Sequence, residues 1–248
     1  MTTDPLPGTD SGLVATEVAF AYGPLPVLDG LSITLPSTRL SCLVGPSGCG
    51  KSTLLALLGN LLAPARGTIT HAFRRPAFVF QDPCLLPWRN AVDNIAFGLK
   101  AQSIPRRERR DRAEASLATV GLAPADAGKY PHQLSGGMRQ RIALARALVV
   151  EPDFLLLDEP FNALDADLRR QMQDLVRQLI EERRLTALMV THDRAEAVRL
   201  ADRLFLMSAA PARIVAEHDI DRAFAERDDA FLQVQLAWLQ DAARPVQN

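Results

Sequence analysis

Gly45-Pro46-Ser47-Gly48-Cys49-Gly50-Lys51-Ser52-Thr53 lies between an apolar run, Leu40 to Val44, and a stretch in which Leu54, Leu55, Leu57 and Leu58 recur at helical spacing. The pattern G-x-x-x-x-G-K-[ST] at a strand-to-helix junction reads as a phosphate cradle. Glycines let consecutive backbone N–H groups turn inward around a polyphosphate, and the helix start adds the positive end of its dipole. In this reading Gly45, Ser47, Gly48, Cys49, Gly50 and Thr53 shape the cradle, and Lys51 reaches the β- and γ-phosphates. Ser52 offers its hydroxyl to Mg²⁺, a hard cation that is shared between protein oxygens and substrate phosphates. A thiol at such a helix start has its pKa lowered, so Cys49 is expected to alkylate readily and to be protected by nucleotide.

Working outward, apolar runs alternate with longer helical patterns, which predicts a largely parallel sheet covered by helices. The strand signals are clearest at Leu40–Val44, Ala77–Phe80, Phe154–Leu157 and Ala187–Val190. The run Phe154-Leu155-Leu156-Leu157 suits a central strand buried on both faces. Between Val79 and Glu151 the pattern turns helical over Ala91–Lys100, Arg106–Val120 and Gly136–Val149. Residues from about 82 to 150 thus read as a helical lobe inserted in an α/β core. Arg106-Arg107-Glu108-Arg109-Arg110-Asp111-Arg112 follows Pro105 and reads as a solvated helix face of mixed sign. Phe224 to Asp241 reads as a last amphipathic helix.

A chain of 248 residues has room for a sizeable core, and its formal net charge of −1 argues against a broad basic field for nucleic acid. Residues 1–12 lack the basic and apolar regions of a signal peptide and read as a disordered tail, leaving one domain over 13–248. The longest apolar stretches fall far short of the roughly 20 residues that span a bilayer, so a membrane role is expected to run through a partner. Cys42, Cys49 and Cys84 show neither C-x-x-C spacing nor an even framework, which suits a reducing cytosol.

Phosphoryl transfer also needs a metal-facing carboxylate and a group that orients water. Asp158 and Glu159 stand at the end of the central apolar run, where ligands at the carboxyl ends of parallel strands face the binding crevice. Asp158 is the expected Mg²⁺ partner and Glu159 the expected general base. An acidic turn capping the next helix is the other reading.

Leu134-Ser135-Gly136-Gly137-Met138-Arg139-Gln140-Arg141 then opens a second helix with free N–H groups, a second anion site. This segment resembles the signature motif of ABC-type ATPases, and the resemblance extends from about Val14 to Glu217. It implies a P-loop NTPase core with a mainly parallel sheet, an N-terminal antiparallel β region and an inserted helical subdomain. It also implies that each ATP lies between Gly45–Thr53 of one subunit and Ser135, Gly136, Gly137 and Gln140 of another, so that hydrolysis requires a dimer. By the same resemblance Tyr22 stacks on adenine, Gln81 touches Mg²⁺ and links the core to the helical lobe, and Asp165 belongs to a loop crossing the dimer interface. Asn162 stands where serine or glycine is commoner. His192 resembles the switch histidine beside the γ-phosphate and the catalytic water.

A single ATPase domain without membrane spans resembles the energy-coupling subunit of a bacterial transporter. Chromosome-type members insert a coiled coil and translation-type members usually pair two halves; neither feature is present here. Pro83 to Asn90 together with Val92 to Leu99 resembles importers of the nitrate, sulfonate and taurine group, with vitamin-precursor importers as close competitors. A soluble ATPase acting on nucleic acid or protein complexes is the reading from another class. Leu85, Leu86 and Trp88 either line a groove for a short helix of a membrane subunit or pack the helical lobe. The implied partners are a second ATPase copy, transmembrane permease subunits and, indirectly, a periplasmic solute-binding protein. The implied location is peripheral, at the cytoplasmic face of the inner membrane.

Overall fold

The computed structural model describes residues 11–244, which form two compact units, one of residues 75–179 and one of the flanking segments. Residues 1–10 of the expected tail lie outside the described residues, whereas Ser11 and Gly12 already belong to a strand.

In the flanking unit, β1 (Ser11–Tyr22) pairs antiparallel with β2 (Leu25–Pro36), and later with β4, giving the order β2-β1-β4 once β3 (Leu40–Val44), α1 (Lys51–Leu58) and β4 (Arg66–His71) have followed. This is the expected antiparallel region. Leu31, Ile33 and Leu35 are buried while Ser32 and Thr34 are exposed, the period of two that turns one sheet face inward.

The 75–179 unit opens with β5 (Pro76–Val79) and continues through α2 (Ala91–Phe97), α3 (Arg106–Thr119) and α4 (Gly136–Leu148) to β6 (Phe154–Asp158). The helix expected over Ala91–Lys100 stops being regular at Gly98, where a 3-10 turn runs to Gln102; glycine is a poor helix former. On α3 the mixed-sign face is laced by i,i+4 pairs, Arg110–Glu114 at 2.9 Å and Arg112–Glu108 at 2.7 Å. β5 and β6 pair in parallel, with Val79 opposite Leu157. That register brings the residues just after each strand to the same end of the pair.

From α5 (Ala166–Arg183) the chain enters β7 (Thr186–Val190), α6 (Arg194–Leu200), β8 (Arg203–Met207), β9 (Ile214–Asp219) and α7 (Asp229–Ala243). β7 and β8 flank β3 in parallel, and β9 turns back antiparallel on β8. Every residue of β3 and β7 is buried, as parallel strands covered on both faces require. The last helix docks on β9 through Trp238, whose ring stacks on His218 at 4.2 Å. No helix among the described residues is long and apolar enough to cross a membrane.

Candidate functional site

The expected site residues fall into two clusters, one in each unit. In the flanking unit the strand β3 delivers the chain into the glycine loop, and α1 starts at Lys51 with Gly50 as its N-cap. Gly50 has φ +107, and a Cβ there would stand 2.6 Å from Val27 Cγ1, so no side chain fits. No side chain caps α1 and no acidic residue lies in its first turn. The first N–H groups of the helix therefore remain for an anion.

Lys51 is buried and its ammonium donates to the carbonyls of Gly45 at 2.9 Å and Pro46 at 2.8 Å. An ammonium carries three donors, so one is left for a ligand oxygen within the loop's own concavity. Ser52 is exposed at the second helical position. His192 follows β7, and its backbone is pinned on both sides: Asp193 N–H donates to Thr191 Oγ1 at 3.0 Å, and Asp193 Oδ1 caps α6 by accepting from Ala195 and Glu196. Val44, Gly45, Pro46, His192 and Met207 line one cleft of about 340 Å³. The loop and His192 thus meet, although they lie far apart in the sequence. Tyr22 ends β1 with its ring 54% exposed and edge-on to Phe20, leaving a face for stacking.

Cys49 departs from expectation. Its side chain is buried, and burial pushes the thiol above its ordinary pKa despite the opposing pull of the Lys51 ammonium. Reactivity needs thiolate, so the helix-start argument is outweighed by desolvation. Iodoacetamide at neutral pH is expected to label Cys84, which is exposed, and to spare Cys49 and Cys42 until the chain is unfolded; peptide mass spectrometry reads the order.

In the 75–179 unit, the β5–β6 register places Gln81 and Glu159 side by side, and Gln81 Nε2 donates to Glu159 Oε2 at 3.4 Å. Asp158 ends β6, half-buried, and Glu159 turns the chain at φ +46. Asn162 Nδ2 donates to the same Glu159 oxygen in a short contact. The next residues reach the second glycine helix: Gly137 packs on Leu164, whose Cδ2 would stand 3.1 Å from a Cβ there, and Gly136 faces Ala163. Ser135 Oγ caps α4 by accepting from Met138 N–H at 3.2 Å, and no acidic residue lies in the first turn. Asp165 caps α5 through Leu168 N–H at 2.9 Å.

Gln140 does not accompany Ser135, Gly136 and Gly137. It is 3% exposed, and its amide donates inward to the Phe80 carbonyl at 3.4 Å, beside Gln81. One turn into the helix, the side chain faces the unit's interior.

Two residues organise the loop after Gln81 without having been singled out by their sequence. Asn94 is fully buried; its Oδ1 accepts from Leu86 N–H and its Nδ2 donates to the carbonyls of Leu86, Arg89 and Asn90. Arg146 donates to the carbonyls of Pro83 and Cys84 at 2.7 and 2.8 Å. A polar residue on the inner face of an amphipathic helix is the signal that points to Asn94. The held loop leaves Leu85 and Leu86 half-buried and presents Trp88 71% exposed.

The sequence matches the ABC transporter family over residues 28–162. It is 46% identical over 214 residues to the Taurine import ATP-binding protein TauB of Chromobacterium violaceum, covering 83% of this chain and 82% of that one. It is likewise 46% identical over 187 residues to the Aliphatic sulfonates import ATP-binding protein SsuB of Corynebacterium glutamicum, covering 75% and 76%. A dimeric ATP-binding cassette in a post-hydrolysis state bound to ADP and Pi superposes with a TM-score of 0.77 at 29% identity, over 85% of this chain and 100% of that one. With a phosphate loop and a second glycine-opened helix on the α/β framework of that cassette, the chain belongs to the ABC transporter family.

Proposed function

We propose that this chain is the ATP-binding and ATP-hydrolysing subunit of an importer for taurine or related sulfonates. The observation that carries the reading is the 46% identity, over three quarters or more of the chain, to two import ATP-binding proteins that are both named for small sulfonated solutes. The chain acts as one ATPase domain that includes β1 from Ser11 onward, with a helical lobe over about 82–150. Two copies assemble, as the dimeric cassette of similar fold does, and couple closure to permease subunits at the cytoplasmic face of the membrane. A periplasmic solute-binding protein delivers cargo to that permease.

Each residue has a part in the chemistry. Tyr22 stacks on adenine, and the N–H groups of Gly45 to Thr53 hold the phosphates with Lys51. Mg²⁺ supplies charge neutralisation at the phosphate oxygens when bound. Ser52, Asp158 and Gln81 are the residues that would hold it. Their donors are hydroxyl, carboxylate and amide oxygen, the hard set that this cation takes. Glu159 takes the proton of the attacking water, His192 orients that water, and Ser135, Gly136 and Gly137 of the second copy meet the γ-phosphate. Asp165 lines the interface between copies. Phosphoryl transfer asks for positioning and charge stabilisation, which this set provides.

Leu85, Leu86 and Trp88 contact the permease. Coexpression with taurine- or sulfonate-type permease subunits is expected to give a stable complex whose ATPase is stimulated in membranes. Trp88→Ala is expected to weaken copurification at least about tenfold, the scale of a buried aromatic anchor. ATPase stimulation by DNA or RNA, with no permease complex, would overturn the transporter reading.

A further inference from the structure

We infer that Asn162 is a positioning residue for hydrolysis: its side-chain amide, together with that of Gln81, clamps one oxygen of the Glu159 carboxylate and so fixes the orientation of the carboxylate that meets the attacking water. This rests on the reading of Glu159 as general base. Both amides converge on Oε2, Gln81 Nε2 at 3.4 Å and Asn162 Nδ2 in a shorter contact. Two donors on one oxygen remove the symmetry of the carboxylate and oppose rotation about its last bond, which fixes the direction in which the carboxylate faces.

The clamp is separate from the folding of the turn. The backbone closes the segment by itself, with Asn162 N–H donating to the Glu159 carbonyl at 3.4 Å and Leu164 N–H to the Phe161 carbonyl at 3.1 Å. The anchoring apolar residues are Phe161 and Leu164, both buried, whereas the Asn162 side chain is exposed. Glu159 itself sits at φ +46, a conformation that side chains rarely adopt, so its aim depends on what holds it. Asn162 is also joined directly to Ala163 and Leu164, on which Gly136 and Gly137 pack. A shift of the signature glycines is thereby passed to the orientation of the base through two residues of chain.

The test uses the full-length chain and separates aim from folding. Asn162→Ala is expected to lower kcat for ATP about tenfold with KM changed by less than about twofold, the scale of one hydrogen bond to a charged group. Asn162→Asp, nearly the same shape, replaces a donor with a like charge and is expected to lower kcat further, to about a hundredfold. Asn162→Gln keeps the amide on a longer arm and is expected to recover to within about threefold of wild type. In a Glu159→Ala background, single-turnover hydrolysis with enzyme in excess is expected to be indifferent to Asn162→Ala, because nothing remains to aim. An equal loss in both backgrounds, a change confined to KM, or a loss that tracks a lowered Tm and is not rescued by Asn162→Gln overturns the clamp. Failure of the underlying reading looks different: Glu159→Gln would then hydrolyse ATP at the wild-type rate whatever stands at position 162.

Discussion

Glu159→Gln is expected to slow ATP hydrolysis at least about a hundredfold, the scale of a positioned general base, while ATP still binds and holds two copies together. The substitution keeps the shape of the side chain and one oxygen for the amides of Gln81 and Asn162, so the turn after β6 is preserved. What it removes is the capacity to take a proton from water. Binding depends on the loop at Gly45–Thr53, which lies in the other unit and is untouched. Phosphate release measures the rate, and size-exclusion chromatography with and without ATP measures the trapped dimer. An unaltered rate in a stable variant removes Glu159 from the role.

Lys51→Ala and Gly136→Asp are each expected to abolish hydrolysis alone, yet an equal mixture of the two is expected to recover about a quarter of the wild-type rate, because random pairing makes half the dimers mixed and each mixed dimer keeps one of two sites intact. Lys51→Ala deletes the buried ammonium that bridges the Gly45 and Pro46 carbonyls. Gly136→Asp puts a carboxylate at the first position of α4, where there is room for a side chain, since the nearest atom to a Cβ there is Ala163 Cβ at 3.9 Å. A carboxylate favours a helix N-terminus, so folding is spared. The same carboxylate repels a γ-phosphate brought by the partner copy. A mixture no more active than the sum of its parents shows that both glycine helices serve one nucleotide within a single copy.

Much of the site was legible because its chemistry is local. A glycine loop followed by Lys51 and Ser52, and Ser135 followed by two glycines, each place backbone donors at a helix start using adjacent residues only, and α1 and α4 begin where those motifs imply. The strands β3 and β7 were legible for a similar reason, since continuous apolar runs suit parallel strands covered on both faces. The helical lobe's inner polar residues were not. Asn94 carries four hydrogen bonds to the loop that presents Trp88, and its partners lie on a segment whose path no periodicity reveals.

At Cys49 and Gln140, both in glycine-helix segments, burial decides what each side chain meets. The Cys49 thiol loses water more than it gains from Lys51, and the Gln140 amide turns to the Phe80 carbonyl. Desolvation depends on atoms from distant parts of the chain, which adjacent residues do not encode.

By itself the sequence determined that this protein carries two glycine-opened helix starts and a carboxylate pair at the end of a buried strand, because turns, caps and strand ends are set by neighbouring residues. Only the tertiary structure decided that Gln81 and Asn162 share one oxygen of Glu159, that His192 opens into the cleft of the phosphate loop, and that Trp88 is held outward by Asn94. Those relations follow from strand register and packing between segments far apart in the chain, where a shift of one residue sends each side chain to the opposite face.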